Sequence, residues 1–159
     1  MGLEIERKFL VTGDGWRGLG PATLLRQGYL AAEPERSVRV RLAGERAWLT
    51  IKGPPRGLAR AEYEWPIPAE EAAELLDTLC LRPLIEKRRH LIEVDGLRWE
   101  LDEFLGENAG LLLAEVELDD ADQAVSLPAW VGREVSHDGR YTNAALSRRP
   151  WGRWPDDER

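Results

Sequence analysis

The sequence predicts an all-β-dominated domain in which antiparallel strands close into a barrel, with a few flanking helices. Seven segments alternate charged with apolar or aromatic side chains at a period of two residues, which is the pattern of strands. Only residues 69–81 show strong helical spacing, so the helices are too few to cover both faces of a broad sheet. Closure of the sheet into a barrel also removes its exposed edges.

Length and composition predict a single domain, which we place at residues 1–149, with residues 150–159 as a loose polar tail. The 159 residues are 43% apolar, which is enough for a sizeable core. The net charge of −7 argues against nucleic acid or a membrane surface as a partner, although 22 Lys and Arg leave room for a local basic pocket. No signal peptide or apolar run of membrane-spanning length is visible, so we expect a cytoplasmic protein. The oligomeric state is not predicted.

The first half of the chain reads as a strand, a broken strand and a hairpin. Residues 3–11 form the opening strand, with Glu4, Glu6 and Lys8 on one face. Residues 24–31 form a short strand that Gly28 interrupts. Residues 38–42 and 47–52 alternate cleanly around a predicted turn, so we expect them to pair.

The second half contains the helix and the remaining strands. Residues 61–67 alternate again, and the helix 69–81 then starts with two acids and stops before Pro83. The single cysteine of the chain, Cys80, is expected to be a buried structural thiol. Strands 85–94 and 97–104 flank Asp95-Gly96, the strongest hairpin signal in the chain. After strand 111–118, we expect short helices at 119–126 and 141–148.

Each strand carries its charges on one face only. The charged set is Glu4, Glu6, Lys8, Arg39, Arg41, Lys52, Glu62, Glu64, Lys87, Arg89, Glu100, Asp102, Glu115 and Glu117. Two barrel closures follow from this pattern. If the apolar face points inward, the charges coat the outside; if the charged face points inward, the barrel encloses a polar lumen and the helices cover its exterior.

The kinds of charge suggest a site for phosphate and metal, without excluding a solvated outer face. Arginines occur as Arg-x-Arg, and guanidinium groups suit phosphate oxygens. Acids occur as Glu-x-Glu, and paired carboxylates suit hard divalent cations. Two like charges 4 Å apart repel by roughly 4 kcal/mol at an effective dielectric near 20, so crowded carboxylates need a cation between them. Cations for phosphate and acids for metal are typical of phosphoryl-transfer sites.

A series of short motifs resembles the CYTH superfamily, the triphosphate tunnel metalloenzymes. The opening Glu4-Ile5-Glu6-Arg7-Lys8 is similar to the family's ExExK signature, and later blocks match in order up to about residue 146. These blocks are Gln27-Gly28-Tyr29-Leu30, Arg39-Val40-Arg41, Thr50-Ile51-Lys52-Gly53, Glu62-Tyr63-Glu64, Glu86-Lys87-Arg88-Arg89, Trp99 to Phe104, Ala114 to Leu118 and Arg140-Tyr141-Thr142-Asn143.

The resemblance implies an eight-stranded antiparallel tunnel with a charged lumen, which selects the second closure. It also implies a metal-dependent hydrolase of triphosphate substrates, with inorganic tripolyphosphate favoured and a metal-bound water attacking the terminal phosphoryl. Class IV adenylate cyclases and thiamine triphosphatases share the tunnel, and a non-catalytic polyphosphate or nucleotide sensor is a further alternative, so the fold alone does not decide the substrate.

The same resemblance implies a role for each lumen residue. The set expected to bind phosphate is Lys8, Arg39, Arg41, Lys52, Lys87 and Arg89, with Arg60 and Arg140 as further candidates. Glu115 and Glu117 are expected to hold one Mg²⁺ or Mn²⁺ ion. Glu4 and Glu6, with Glu62, Glu64, Glu100 and Asp102, are expected to organise a second ion and the attacking water. The catalytic residues would then be Glu4, Glu6 and Lys8.

Overall fold

The alternating segments form strands, and the structure, a computed structural model, describes residues 2–159. Within that range the regular elements are nine strands and two α-helices, and Met1, the first residue of the predicted domain, lies outside it. They are β1 Gly2–Val11, β2 Ala22–Glu33, β3 Arg36–Ala43, β4 Arg46–Lys52, β5 Ala59–Ile67, α1 Ala69–Thr78, β6 Ile85–Val94, β7 Leu97–Phe104, β8 Leu112–Glu117, β9 Val131–Glu134 and α2 Asn143–Arg148. None of the helices in this range is long and apolar enough to cross a membrane.

The strands close into an eight-stranded antiparallel barrel, which confirms the predicted fold. Around the barrel the order is β1, β5, β4, β3, β2, β6, β7 and β8, which pairs with β1 again. One edge of β1 pairs with β8, whereas the other edge pairs first with β5, over Gly2 to Ile5, and then with the short β9 at Phe9 and Val11. The first strand therefore joins three others and closes the barrel.

The charged face of the barrel points inward, because the apolar faces are covered on the outside by helix and loop. Helix α1 places Ala72 and Leu76 against Val40, and Cys80 lies in the same buried cluster, as predicted. On the opposite side, Trp16 and Trp130 cover the outer faces of β1, β6, β7 and β8. These two sides of the barrel thus have a covered apolar exterior and a polar interior, which matches the second closure.

One mouth of the barrel is covered by the segment 139–148, which we call the plug. It consists of the 3₁₀ turn Gly139–Tyr141 and helix α2. Tyr141 and Leu146 of the plug pack in one buried cluster with three apolar residues of the barrel. These residues have the same strand parity as the inward-facing charges: Ile85, Phe104 and Leu113. The lumen is therefore polar in its middle and apolar at this end.

The tail expected to be loose is packed against the plug. Trp154 is only 3% exposed, and its ring meets that of Tyr141 edge-to-face at 5.1 Å. The Trp154 indole N–H donates to the Arg149 carbonyl at 3.0 Å. The prediction of a loose tail was wrong because it rested on the polar composition of residues 150–159. Two tryptophans, Trp151 and Trp154, are enough to pack this short segment against the rest of the protein.

Three local predictions differ from the structure for identifiable reasons. Gly28 does not interrupt β2; a side chain there would meet Cys80 and Leu84, so the glycine allows close packing instead. The segment 119–126 is not helical, because its side chains bond to nearby backbone: Gln123 accepts from the Asp119 amide at 2.8 Å. Strand β9 was missed because only four residues pair there.

Candidate active site in the barrel lumen

The inward-facing charges enclose a cavity of about 480 Å³ in the middle of the barrel. Seven carboxylates line it: Glu4, Glu6, Glu62, Glu64, Glu100, Glu115 and Glu117. Six cationic side chains line it as well: Lys8, Arg39, Arg41, Lys52, Arg60 and Arg89. The period-2 pattern of the strands therefore brings groups that are distant in sequence into one space.

The strand order separates these charges into two walls. Arg39 and Arg41 on β3 and Arg89 on β6 flank β2, and together these strands form what we call the basic wall. The remaining arc from β7 through β8 and β1 to β5 carries all seven carboxylates and forms the acidic wall. Register strengthens this separation, because Glu6 lies directly across from Glu117, and Glu100 across from Glu115.

The basic wall contains buried donors that have no partner. The Nε atoms of Arg39 and Arg41 are buried without a hydrogen bond, and Arg39 forms no ion pair with any residue in the range 2–159. Burial, followed by the charges of Arg39 and Arg89, lowers the pKa of Arg41 to about 10. Because unpaired buried donors are costly, this wall is suited to an anionic ligand with several oxygens.

The acidic wall contains carboxylates that resist ionising together. Burial and then the charges of Glu115 and Glu4 raise the pKa of Glu6 well above its ordinary value. Burial and then a hydrogen bond with Glu4 raise the pKa of Glu62 to about 7. The pKa of Glu117 is also raised, chiefly by burial and then by Glu4. A cation placed among these groups would relieve the repulsion.

Two lysines form ion pairs with the acidic wall. Lys52 Nζ lies 2.7 Å from Glu4 Oε1 and 3.5 Å from Glu62 Oε2. Lys8 Nζ lies 3.6 Å from Glu115 Oε1 and donates to the Tyr141 carbonyl at 3.2 Å. Burial opposes ionisation of Glu115, but Lys8 and Arg89 outweigh it and lower its pKa. Burial likewise opposes ionisation of Glu4, but Lys52 contributes to a lowered pKa there, so the acidic wall has carboxylates with lowered pKa values beside others with raised ones.

Residues 2–146 match the CYTH domain family. The chain belongs to the CYTH family. It is 48% identical over 151 residues to a protein of Acetivibrio thermocellus named inorganic triphosphatase, covering 95% of this chain and 97% of that one. A protein of Nitrosomonas europaea with the same name is 41% identical over 150 residues, covering 91% and 96%. A crystal structure of an inorganic triphosphatase aligns with a TM-score of 0.66 at 38% identity, covering 90% and 96%.

Two of the residues predicted for this CYTH site lie behind the cavity instead of lining it. Lys87 is fully buried, with Nζ 2.8 Å from Asp102 Oδ2. Asp102 also accepts two hydrogen bonds from Arg89, at 2.8 and 2.9 Å. Its oxygens are thus occupied by two cations, so we omit Asp102 from the proposed metal ligands and Lys87 from the groups that touch phosphate.

Arg140 also lies outside the cavity lining. Its guanidinium binds Asp138 at 2.6 Å, donates to the Glu158 carbonyl at 3.1 Å and stacks over Trp154 at 5.0 Å. These contacts hold the plug and the tail together. Arg140 is therefore omitted from the phosphate-binding set, whereas Arg60 lines the cavity while donating to the Gly53 carbonyl.

Several polar residues in the lining were not predicted as site residues. Tyr29 and Ser37 share the inward face with Arg39, so strand parity alone could have identified them. The others come from turns and the plug, where a period of two gives no signal: Ser136, His137, Thr142 and Asn143. Their positions depend on how the end of the chain folds back over the barrel mouth.

The donor set of the acidic wall fits a hard divalent cation. All of its potential ligand atoms are carboxylate oxygens, and burial together with neighbouring carboxylates raises the pKa values of Glu6 and Glu62. Within residues 2–159, no three His, Cys, Asp or Glu side chains form a ready-made metal cage. A wall of carboxylate oxygens suits Mg²⁺ or Mn²⁺, because these ions bind through one or two carboxylates and complete their coordination with waters and substrate oxygens.

Proposed function

We propose that this protein hydrolyses inorganic tripolyphosphate with the help of divalent cations. The observation that carries the proposal is the opposition of two walls: unpartnered arginine donors on one side of the cavity and crowded carboxylates on the other. Two relatives that align over nearly their whole length bear the name inorganic triphosphatase. The proposed location is the cytoplasm, on the sequence evidence alone.

In the proposed mechanism, the basic wall binds the phosphate chain. Arg39, Arg41 and Arg89 donate to its oxygens, and Lys8 and Lys52 neutralise charge near the acidic wall. Holding the chain in one orientation aligns the terminal phosphorus with a water on the acidic side, which accounts for much of the rate expected of such sites. The chain's own side chains thus supply binding and orientation.

The carboxylates would hold the cations and orient the water. Glu115 and Glu117 would hold one ion, and Glu4 and Glu6 a second, with Glu62, Glu64 and Glu100 within the same wall. A bound divalent cation supplies counter-charge for phosphate oxygens and lowers the pKa of water. In the reaction, the water oxygen bonds to the terminal phosphorus while the bridging P–O bond breaks. The bridging oxygen leaves on pyrophosphate with the electron pair of that bond, the proton lost by the water passes to solvent, and the products are phosphate and pyrophosphate.

The test is phosphate release from tripolyphosphate, ATP and thiamine triphosphate, each with Mg²⁺, with Mn²⁺ and with EDTA. We expect metal-dependent release that is fastest with tripolyphosphate. Faster turnover of ATP or thiamine triphosphate would change the proposed substrate. Tight binding of tripolyphosphate without release under any metal condition would instead indicate a sensor.

Replacing Arg39 or Arg41 by alanine is expected to raise KM for tripolyphosphate roughly tenfold or more, because each removes a hydrogen bond to a charged group. The melting temperature should stay equal or rise. Burial and the neighbouring cations Arg39 and Arg89 lower the pKa of Arg41, so its charge destabilises the folded protein while the cavity is empty. Steady-state kinetics and thermal unfolding measure the two effects.

The matched control is Arg26→Ala on the outer face of β2. Arg26 lies 3.6 Å from Asp77 and 3.7 Å from Glu86 in exposed ion pairs, so its loss should change neither KM nor stability much. A large drop in melting temperature for the Arg39 or Arg41 variant would show that these arginines are structural.

A further inference from the structure

The basic wall has a gap at its centre. Strand β2 lies between β3 and β6, and its inward residues opposite Arg41 and Arg39 are the neutral Gln27 and Tyr29, while the neutral Thr23 lies opposite Arg89. Gln27 is fully buried and uses its amide nitrogen internally. The middle of the wall therefore lacks a cationic donor of its own.

Asn143, the first residue of α2, occupies this gap. Its side-chain oxygen accepts a hydrogen bond from Gln27 Nε2 at 2.9 Å and another from Lys87 Nζ at 3.1 Å. A lysine ammonium can only donate, so the Asn143 oxygen must face Lys87. The amide nitrogen then points the other way, and within residues 2–159 it has no hydrogen-bond partner, although Asn143 lines the cavity.

Lys87 is placed to fix this orientation and does not line the cavity itself. It is fully buried, and its ammonium is shared between Asp102 at 2.8 Å and Asn143 at 3.1 Å. Asp102 in turn holds Arg89. One buried lysine thus connects an arginine of the basic wall with an amide delivered by the plug.

We propose that Asn143 is a substrate ligand whose amide N–H groups bind a phosphate oxygen of the chain, and that Lys87 is the positioning residue that orients it. This inference rests on the proposed function, because it assigns a further contact to the same substrate. It gives the plug a direct role: covering the mouth of the barrel also places a neutral donor in the cavity lining, beside Gln27 of β2.

The decisive variants are Asn143→Asp and Asn143→Ala. Aspartate keeps an acceptor for both Lys87 and Gln27 but turns an acceptor oxygen toward the substrate. Alanine removes the acceptor and the donor without adding charge. If Asn143 binds substrate, both variants raise KM for tripolyphosphate about tenfold or more. Asp should melt no lower than the wild type, because a carboxylate beside Lys87 retains the buried contact.

Other outcomes overturn the inference. If Ala is impaired and Asp has wild-type KM, Asn143 serves only as an acceptor for Lys87. If Ala has wild-type KM, no substrate contact exists, whatever Asp does. The control on the same helix is Ser147→Ala, which removes a hydroxyl that donates to the Ala144 carbonyl at 2.8 Å; Ser147 itself does not line the cavity, so KM should stay unchanged.

Calorimetry of tripolyphosphate binding in EDTA separates this inference from the proposed function. If the wild type binds tripolyphosphate in EDTA but hydrolyses it with neither Mg²⁺ nor Mn²⁺, and both variants weaken binding about tenfold, the inference stands and the proposed activity fails. If the wild type hydrolyses tripolyphosphate and both variants bind it as tightly as the wild type, only the inference fails.

Discussion

Replacing Glu4 and Glu6 together by glutamine should reduce tripolyphosphate hydrolysis on the order of a thousandfold or more while affinity for tripolyphosphate changes little. Both carboxylates belong to the acidic wall, and Glu6 lies across from Glu117 in the register of β1 and β8. Glutamine keeps their size but removes the charged oxygens that would hold a cation and orient the water. The arginines of the basic wall still bind the phosphates.

The measurements are phosphate release with Mg²⁺ or Mn²⁺ and, separately, calorimetry of tripolyphosphate binding in EDTA. Glu103→Gln is the matched control, because Glu103 follows Asp102 on β7 but binds Arg88 and His90 outside the cavity. Wild-type turnover in the double variant would remove Glu4 and Glu6 from the proposed mechanism. Loss of both activity and affinity would mean that they bind substrate and not water.

A second large effect is expected for stability: Asp102→Asn should lower the free energy of unfolding by about 3 to 5 kcal/mol. Asp102 is fully buried between Lys87 and Arg89. Burial disfavours its charge, but Arg89 and Lys87 outweigh that and lower its pKa. Asparagine would leave two buried cations without their shared anion.

Urea unfolding in the presence of EDTA measures this loss, with Glu100→Gln as the control. Glu100 also binds Arg89, at 2.5 Å, but is partly exposed, so its replacement should cost only about 0 to 1 kcal/mol. The loss in Asp102→Asn should be smaller at pH 8 than at pH 6, because burial lowers the pKa of Lys87 to about 8 even with Asp102 present, and without that carboxylate the lysine sheds its proton at a still lower pH. If the free energy of unfolding of Asp102→Asn is unchanged or raised, the structural role of Asp102 is wrong, and Asp102 would again be a proposed metal ligand.

Strand parity was enough to predict most of the strands of the barrel and which of their charges share a face. A period of two fixes which side chains share a face, so Glu4, Arg39 and Glu115 could be grouped before any pairing was known. Parity alone left open which face was inside, and the resemblance to CYTH proteins decided it. Strands 85–94 and 97–104 were predicted at their observed bounds, because Asp95-Gly96 marks the turn, with positive φ at both residues.

The division of labour among the inward charges could not be predicted in this way. Lys87, Asp102 and Arg89 have the same parity as the residues that line the cavity, and only their distances show that Asp102 holds the two cations. Asn143 carries no periodic signal, since its place depends on a helix packed across the barrel mouth. Sequence patterns identify which side chains share the inward face of the barrel. Whether such a side chain contacts a ligand or holds another side chain depends on how deeply it is buried.

The way β1 closes the barrel also has consequences for the order of folding. Its partners are far along the chain, since Leu3 pairs with Ala61 and Lys8 with Glu115. Local hairpins such as β3–β4 and β6–β7 can form early, but β1 can join only after both distant partners are in place, and such non-local pairing slows folding. Glu4 and Glu6 of β1 then meet the carboxylates of β8 and β5 only at the final step, so this repulsion opposes closure and leaves the β3–β4 and β6–β7 hairpins unaffected. In refolding followed by pulsed hydrogen exchange, we expect the amides of β1 to be protected later than those of β6 and β7; simultaneous protection would show that closure and hairpin formation are one event.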